Sequence, residues 1–260
     1  ATTDGPHSSG LRGLKAMGEN GDGGASTTFR IALGLAALNA EAIGWLLLVF
    51  IIADGVLVAL LGVSTRWLMH FIFDALIVHV GLRSMLSDGR VVGTDALVDP
   101  RGRAPWLFVF RATLMMMPGI LALLMVGGLL MPAFGIGAAL GGGVIVGLGA
   151  YAVTFALFGT MLADLANGGS GNPEAAFERG REGFKPVLAL MLAGPVVAEF
   201  CLFAVSRLVG ALDLPDRALA EGQDHLSIPG LLMDTAFLLA GVFVSLLAAV
   251  VIGRAWLKHY

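Results

Sequence analysis

Charged residues in this chain fall into clusters, and between the clusters lie apolar runs of about 20 residues, the length a helix needs to cross a bilayer. Six such runs fit: residues 42–63, 67–83, 105–131, 133–162, 186–211 and 230–253. The second has only 17 residues and is the shortest. Ahead of the first run, Ser26, Thr27 and Thr28 read as the cap of an interfacial helix. Residues 1–28 are polar and glycine-rich; they read as a disordered cytoplasmic tail without a signal peptide, with a short amphipathic turn over 11–17. The expected fold is all-α: a polytopic membrane domain of six transmembrane helices over residues 29–260.

Two stretches repeat one pattern. Residues 85–118 and 161–195 both open Met-Leu-x-Asp (Asp88, Asp164) and carry Arg-Gly-Arg (Arg101 to Arg103, Arg179 to Arg181). Each then reaches a proline (Pro105, Pro186) and meets a second inside the next apolar run (Pro118, Pro195). They read as two similar units of helix end, basic loop and kinked helix. Proline removes a helix hydrogen bond and frees a carbonyl, so Pro118 and Pro195 should kink their helices. In the second loop Asn172 and Pro173 look like a cap and first residue for a short amphipathic helix on the membrane surface.

Composition agrees with this picture. Hydrophobic residues make up 57% and charged residues 13% of the 260, against roughly 45–50% and 25% in soluble domains. A formal net charge of −3 gives no basis for nucleic-acid binding. The distribution of lysine and arginine orients the chain. With six spans both termini share a side, and 13 of the 16 basic residues fall on it; only Arg66, Arg207 and Arg217 fall opposite. By the positive-inside rule both termini are cytoplasmic. The loop over 213–227 carries Asp213, Asp216, Glu221 and Asp224 against one arginine, as an external loop should.

Ionisable residues at bilayer depth are expensive and therefore the first candidates for function. Asp54 and Asp74 lie about ten residues either side of the turn at Ser64 and Thr65, so in a hairpin they should be level. His70 is one turn from Asp74 on the same face, and Glu199 is near the middle of the fifth span. Asp54, His70, Asp74 and Glu199 are thus candidates for a proton or cation relay. The competing reading has the same carboxyls protonated or paired and merely holding helices in register. The spans hold few Ser, Asn or Gln to line a water path, which counts against the relay. His79 reads as packed near the cytoplasmic interface, and its spacing from His70 prevents the two from clamping one haem or metal.

Arg207 and Asp234, each one turn inside an outer helix end, are expected to form a structural ion pair. In the fourth run Gly137 with Gly141 and Gly143 with Gly147 form GxxxG pairs, which let helices approach closely; an intramolecular partner is favoured over self-association. Cys201 is the only cysteine, which excludes disulfides. No catalytic motif of the Gly-x-Ser-x-Gly, His-Glu-x-x-His or phosphate-loop type is present, so neither catalytic residues nor a metal or cofactor are expected. Anionic lipids at the basic cytoplasmic loops, a membrane-protein partner and a second copy of the chain are the expected contacts.

One resemblance adds to this. Gly89, Arg90, Ala96 and Leu97, then Met161 to Asp164, Ala175, Ala176, Phe177, Arg181 and Lys185 to Leu188, and finally Val250 to Leu257, are similar to the YciC-like family of bacterial inner-membrane proteins. That family is related to the membrane domain attached to glycerophosphodiester phosphodiesterases; the soluble catalytic domain of those enzymes has no room here. The resemblance implies six helices, an inner-membrane location and no assigned reaction. The sequence therefore points to a non-enzymatic membrane protein that organises the bilayer or serves in a larger complex. The alternative is a proton- or cation-coupled permease built on the intramembrane acids.

Overall fold

The computed structural model describes residues 24–61, 66–86, 105–212 and 227–259, and every regular element among them is a helix. Five helices are long and apolar enough to cross a membrane, which is compatible with a membrane-embedded protein.

Helix α1 (Ala25–Leu38) buries Thr28, Ile31, Ala32 and Leu35. The three- and four-residue spacing puts them on one face, and that face lies along the C-terminal helix. The expected cap at Ser26 to Thr28 is displaced: the cap position is Gly24, and Thr28 lies inside the helix with its hydroxyl committed elsewhere. Residues from Ala25 onward are thus structured, whereas residues 1–23, with the turn expected over 11–17, lie outside the described residues. Asn39 joins α1 to α2 (Ala40–Leu61). Fully buried, its side-chain amide donates to the Leu35 carbonyl at 2.9 Å and to Ser84 Oγ at 3.0 Å, the satisfaction a buried amide requires. Helix α3 (Arg66–Leu86) runs 21 residues, longer than the 17-residue run read from the sequence because the helix also takes in Arg66 at its start and Ser84, Met85 and Leu86 at its end.

Helix α4 (Trp106–Phe158) has 53 residues, about 80 Å if straight, against an apolar bilayer thickness of about 30 Å. It is not straight. At Gly135 the backbone takes φ 78° and ψ 174°, a conformation open essentially to glycine alone, and the second arm folds back along the first. A Cβ placed on Gly143 would lie 2.8 Å from the Leu123 carbonyl oxygen, and one on Gly147 2.8 Å from that of Gly119. The pairing of late residues with early ones makes the arms antiparallel. The boundary expected at Pro132 thus falls three residues later, where glycine rather than proline reverses the chain. Pro118 produces no comparable break.

After Gly159 come α5 (Thr160–Ala166), α6 (Pro173–Glu182) and α7 (Phe184–Met191). Asn172 caps α6 as expected, its side chain accepting from the Glu174 amide at 2.9 Å, with Pro173 at the first turn. Yet α6 is not simply laid on the surface: Ala176 and Gly180 are buried, Gly180 against the backbone of Leu157. Pro195 falls in a single π-helical turn (Leu192–Val196) between α7 and α8 (Val197–Ala211), the widening that accommodates a proline in mid-helix.

Helix α9 (Ile228–Leu257) starts on Ser227, whose hydroxyl accepts from the Gly230 amide at 3.2 Å. It is the axis of the molecule. Leu246, Leu247 and Val250 belong to a core shared with α1, α2 and α3, while Ala248, Ala249, Val251 and Ile252 belong to one shared with α3 to α7. A helix buried on all sides needs apolar residues all round, which the stretch 246–252 supplies. Gly81 of α3 allows the closest approach, since a Cβ there would meet Ala249 and Leu246 at 2.9 Å. The basic loop of the first repeated unit and the acidic loop over 213–226 lie outside the described residues.

Candidate functional site

Four polar side chains, each from a different helix, meet inside the bundle. Asp74 of α3 accepts a hydrogen bond from Ser245 Oγ of α9 at 3.1 Å. Glu199 of α8 is close enough to Asp74 for their charges to interact, and both act on the hydroxyl of Tyr151 in the second arm of α4. Tyr151 is steadied by its ring contact with Phe155, centroid to centroid 4.4 Å. Asp74 and Tyr151 are half-buried, Ser245 is buried, and Glu199 opens on the outer flank of α8.

Of the four relay candidates read from the sequence, the structure brings Asp74 and Glu199 together. The groups that act on Asp74 are Glu199 and Ser245; Asp54 is not among them. Equal depth on adjacent helices does not fix azimuth, and the Asp54 carboxyl points elsewhere, with Oδ1 lacking a hydrogen-bond partner among the described residues. His70 turns toward α2, its ring 4.9 Å from that of Phe50. His79 is buried edge-on against Phe108 at 4.9 Å. Tyr151 and Ser245 were not singled out from the sequence. The available signal was that each interrupts a long apolar run, and Tyr151 is one of only two tyrosines.

The pair expected between Arg207 and Asp234 is not seen among the described residues. Arg207 is exposed on α8, and Asp234 is half-buried on α9 with an interaction of its own. The one residue that α8 buries, Val209, lies two positions from Arg207, so the outer end of α8 is seated while Arg207 itself turns to the exposed side. Of the glycine pairs, Gly143 and Gly147 pack against the first arm of α4, whereas a Cβ on Gly137 or Gly141 would meet nothing within 4 Å. Cys201 is exposed on α8. Among the described residues no group of three or more His, Cys, Asp or Glu is placed to hold a metal ion.

The Met-Leu-x-Asp pattern has a structural use. Asp164 Oδ2 accepts from the Gly171 amide at 2.7 Å, closing the loop between α5 and α6, and the Arg111 guanidinium donates to the carbonyls of Gly171 and Ser170. Gly168 and Gly171, at φ 81° and 61°, supply the left-handed turns. Asp164→Leu is expected to leave the Gly171 amide unmatched, at about 1–3 kcal/mol, and to appear as faster proteolysis between residues 167 and 172.

At the same end of the bundle a cleft of about 540 Å³ opens between α6, α7 and the last turns of α9, with Arg179, Arg254 and Lys258 in its lining. Neither this cleft nor the shallower one beside Phe158 and Phe177 is lined by Asp74 or Glu199. Compared with protein-family models, with curated proteins and with solved structures, the chain matches none.

Proposed function

We propose that this chain is a non-enzymatic integral membrane protein of the bacterial inner membrane, serving as a subunit of a larger membrane complex and ordering the lipid around it. Five helices are long and apolar enough to cross a membrane, and the reversal of α4 at Gly135 supports reading them as six crossings, on which reading the excess of basic residues on one side argues for cytoplasmic termini. Kinship with the YciC-like proteins belongs to the same proposal.

The observation that carries it is Glu199. It sits in the middle of an apolar helical run, on the exposed flank of a helix that buries a single residue of its own, with Val197, Phe200, Val205 and Leu208 exposed beside it. Its carboxyl is near enough to Asp74 and Tyr151 to interact with them on the inner side, but its outer side is open, and an ionisable group open to lipid at that depth is destabilising by several kcal/mol unless something polar covers it. A partner helix is the simplest cover. The test is photo-crosslinking in intact cells from a reactive amino acid placed at Phe200 or Leu208 on α8, with Leu129 on α4 as the lipid-facing comparison. Adducts to one defined protein from α8, lost in Glu199→Leu, are expected. Adducts to lipid alone from both helices would end the subunit reading.

A second reading, a proton- or cation-coupled permease, is favoured by the convergence of Asp74, Glu199, Tyr151 and Ser245 from four helices. Its test is proton flux in liposomes. Flux in the wild type that is lost in both Asp74→Asn and Glu199→Gln would move the protein into that class. The scaffold reading expects none in any of the three.

A further inference from the structure

We propose that the cleft between α6, α7 and α9 binds the phosphate headgroup of an anionic glycerophospholipid, with the first part of an acyl chain against its apolar wall. The proposal rests on the reading of the chain as membrane-embedded.

The cleft measures about 540 Å³, within the range of roughly 300–1,000 Å³ that small-molecule sites occupy. Its lining divides in two. Three cations, Arg179 at the end of α6, Arg254 and Lys258 in and just after the last turn of α9, stand against one acid, Glu182. Glu182 is largely exposed, its Oε2 3.7 Å from His259 Nδ1. Apart from Thr160 and His259 the remaining side chains of the wall are apolar, among them Val187 and Leu190 of α7 and Ile252 of α9. A guanidinium's planar fork matches phosphate oxygens and a lysine serves as a point charge beside it. Basic pockets between transmembrane helices are where anionic headgroups settle.

Two of the three cations are held in place by the fold. Arg254 is only 3% exposed and one guanidinium nitrogen donates to Thr28 Oγ1 at 3.1 Å. Arg179 Nε donates to Thr160 Oγ1 at 3.4 Å, and Thr160 Oγ1 in turn reaches the Ala176 carbonyl at 3.4 Å. Lys258 is exposed at the mouth. A free phosphate would use the charges and leave the apolar wall wet; a lipid uses both. The site also lies beside the ends of helices long enough to span a bilayer, where headgroups are found.

The experiment is native mass spectrometry of the full chain released from nanodiscs holding equal phosphatidylglycerol and phosphatidylcholine, after an alkaline carbonate wash of the source membranes. Preferential retention of phosphatidylglycerol is expected. Lys258→Gln should weaken it about fivefold and Lys258→Glu about thirtyfold, at roughly 1 kcal/mol per charge near the surface. Arg207→Gln, on the flank of α8 and outside the cleft, should leave it unchanged. Equal retention of the two lipids, an equal loss in Arg207→Gln, or displacement of the bound lipid by inorganic phosphate alone would each overturn the proposal. Release of the protein by the carbonate wash would instead remove the membrane reading on which it rests.

Discussion

Gly147→Val is expected to lower the thermal midpoint of the detergent-solubilised protein by roughly 5–10 °C, the scale of 1–3 kcal/mol of overpacking, while Gly137→Val leaves it unchanged. Both are glycines of GxxxG pairs on the same arm of α4, and both substitutions put the same β-branched side chain into a helix, so propensity changes alike. What differs is the space. A Cβ on Gly147 would lie 2.8 Å from the Gly119 carbonyl oxygen and 3.1 Å from Leu123 Cβ, and the first of these is backbone, which cannot rotate away. At Gly137 nothing lies within 4 Å. Because the partner is the other arm of the same helix, the loss should not depend on protein concentration. A midpoint that falls equally for Gly137→Val would mean that the open pair is covered by another chain, and would make self-association, rather than the fold of α4, the purpose of that glycine run.

The comparison of these glycines shows what the sequence could and could not disclose. Helix lengths and positions were legible because lipid or a dry core demands long apolar runs, and clusters of charge mark where the runs stop. Gly135 as the point of reversal was less so: Pro132 is the louder signal, yet proline only loosens a helix, whereas a backbone at φ 78° requires glycine. The short helices α5 to α7 were legible only at Asn172 and Pro173, because their burial comes from contact with Leu157 and α9, remote in sequence.

The candidate site was half legible for a related reason. Depth follows from counting residues from a turn, so Asp74 and Glu199 were found as intramembrane acids. Azimuth does not follow, because it depends on how helices pack, and so Asp54 was grouped with Asp74 when Glu199 is the acid that faces it. Ser245 and Tyr151 carry no charge and raise no alarm in a hydropathy pattern, although they are the groups that give Asp74 and Glu199 polar company. Arg207 and Asp234 make the same point: two helix ends at one depth form a pair only if their side chains also share an azimuth, and Arg207 is exposed on α8 while Asp234 is half-buried on α9.

Gly180→Val should have the larger effect on both fold and lipid binding. Gly180 is the middle residue of the Arg179-Gly180-Arg181 run and is where α6 crosses the second arm of α4, so close that a Cβ would fall on the backbone of Leu157. No rotamer avoids that contact. Either α6 lifts away or the end of α4 bends, and the expected destabilisation is about 3 kcal/mol, the upper end for overpacking. Gly183→Ala is the matched control, three residues on and also in the lining of the cleft. A Cβ there would sit 3.6 Å from the Arg179 carbonyl oxygen and 3.7 Å from Val187, ordinary contact distances, and its φ of −93° suits alanine. Lifting α6 also withdraws Arg179 from Thr160 and from the opposite wall of the cleft. Gly180→Val should therefore lose its preference for phosphatidylglycerol even at temperatures where the bundle, read by circular dichroism, is still helical. Retention of that preference in a destabilised Gly180→Val would place the lipid on α9 alone, with Lys258 rather than Arg179 carrying the charge.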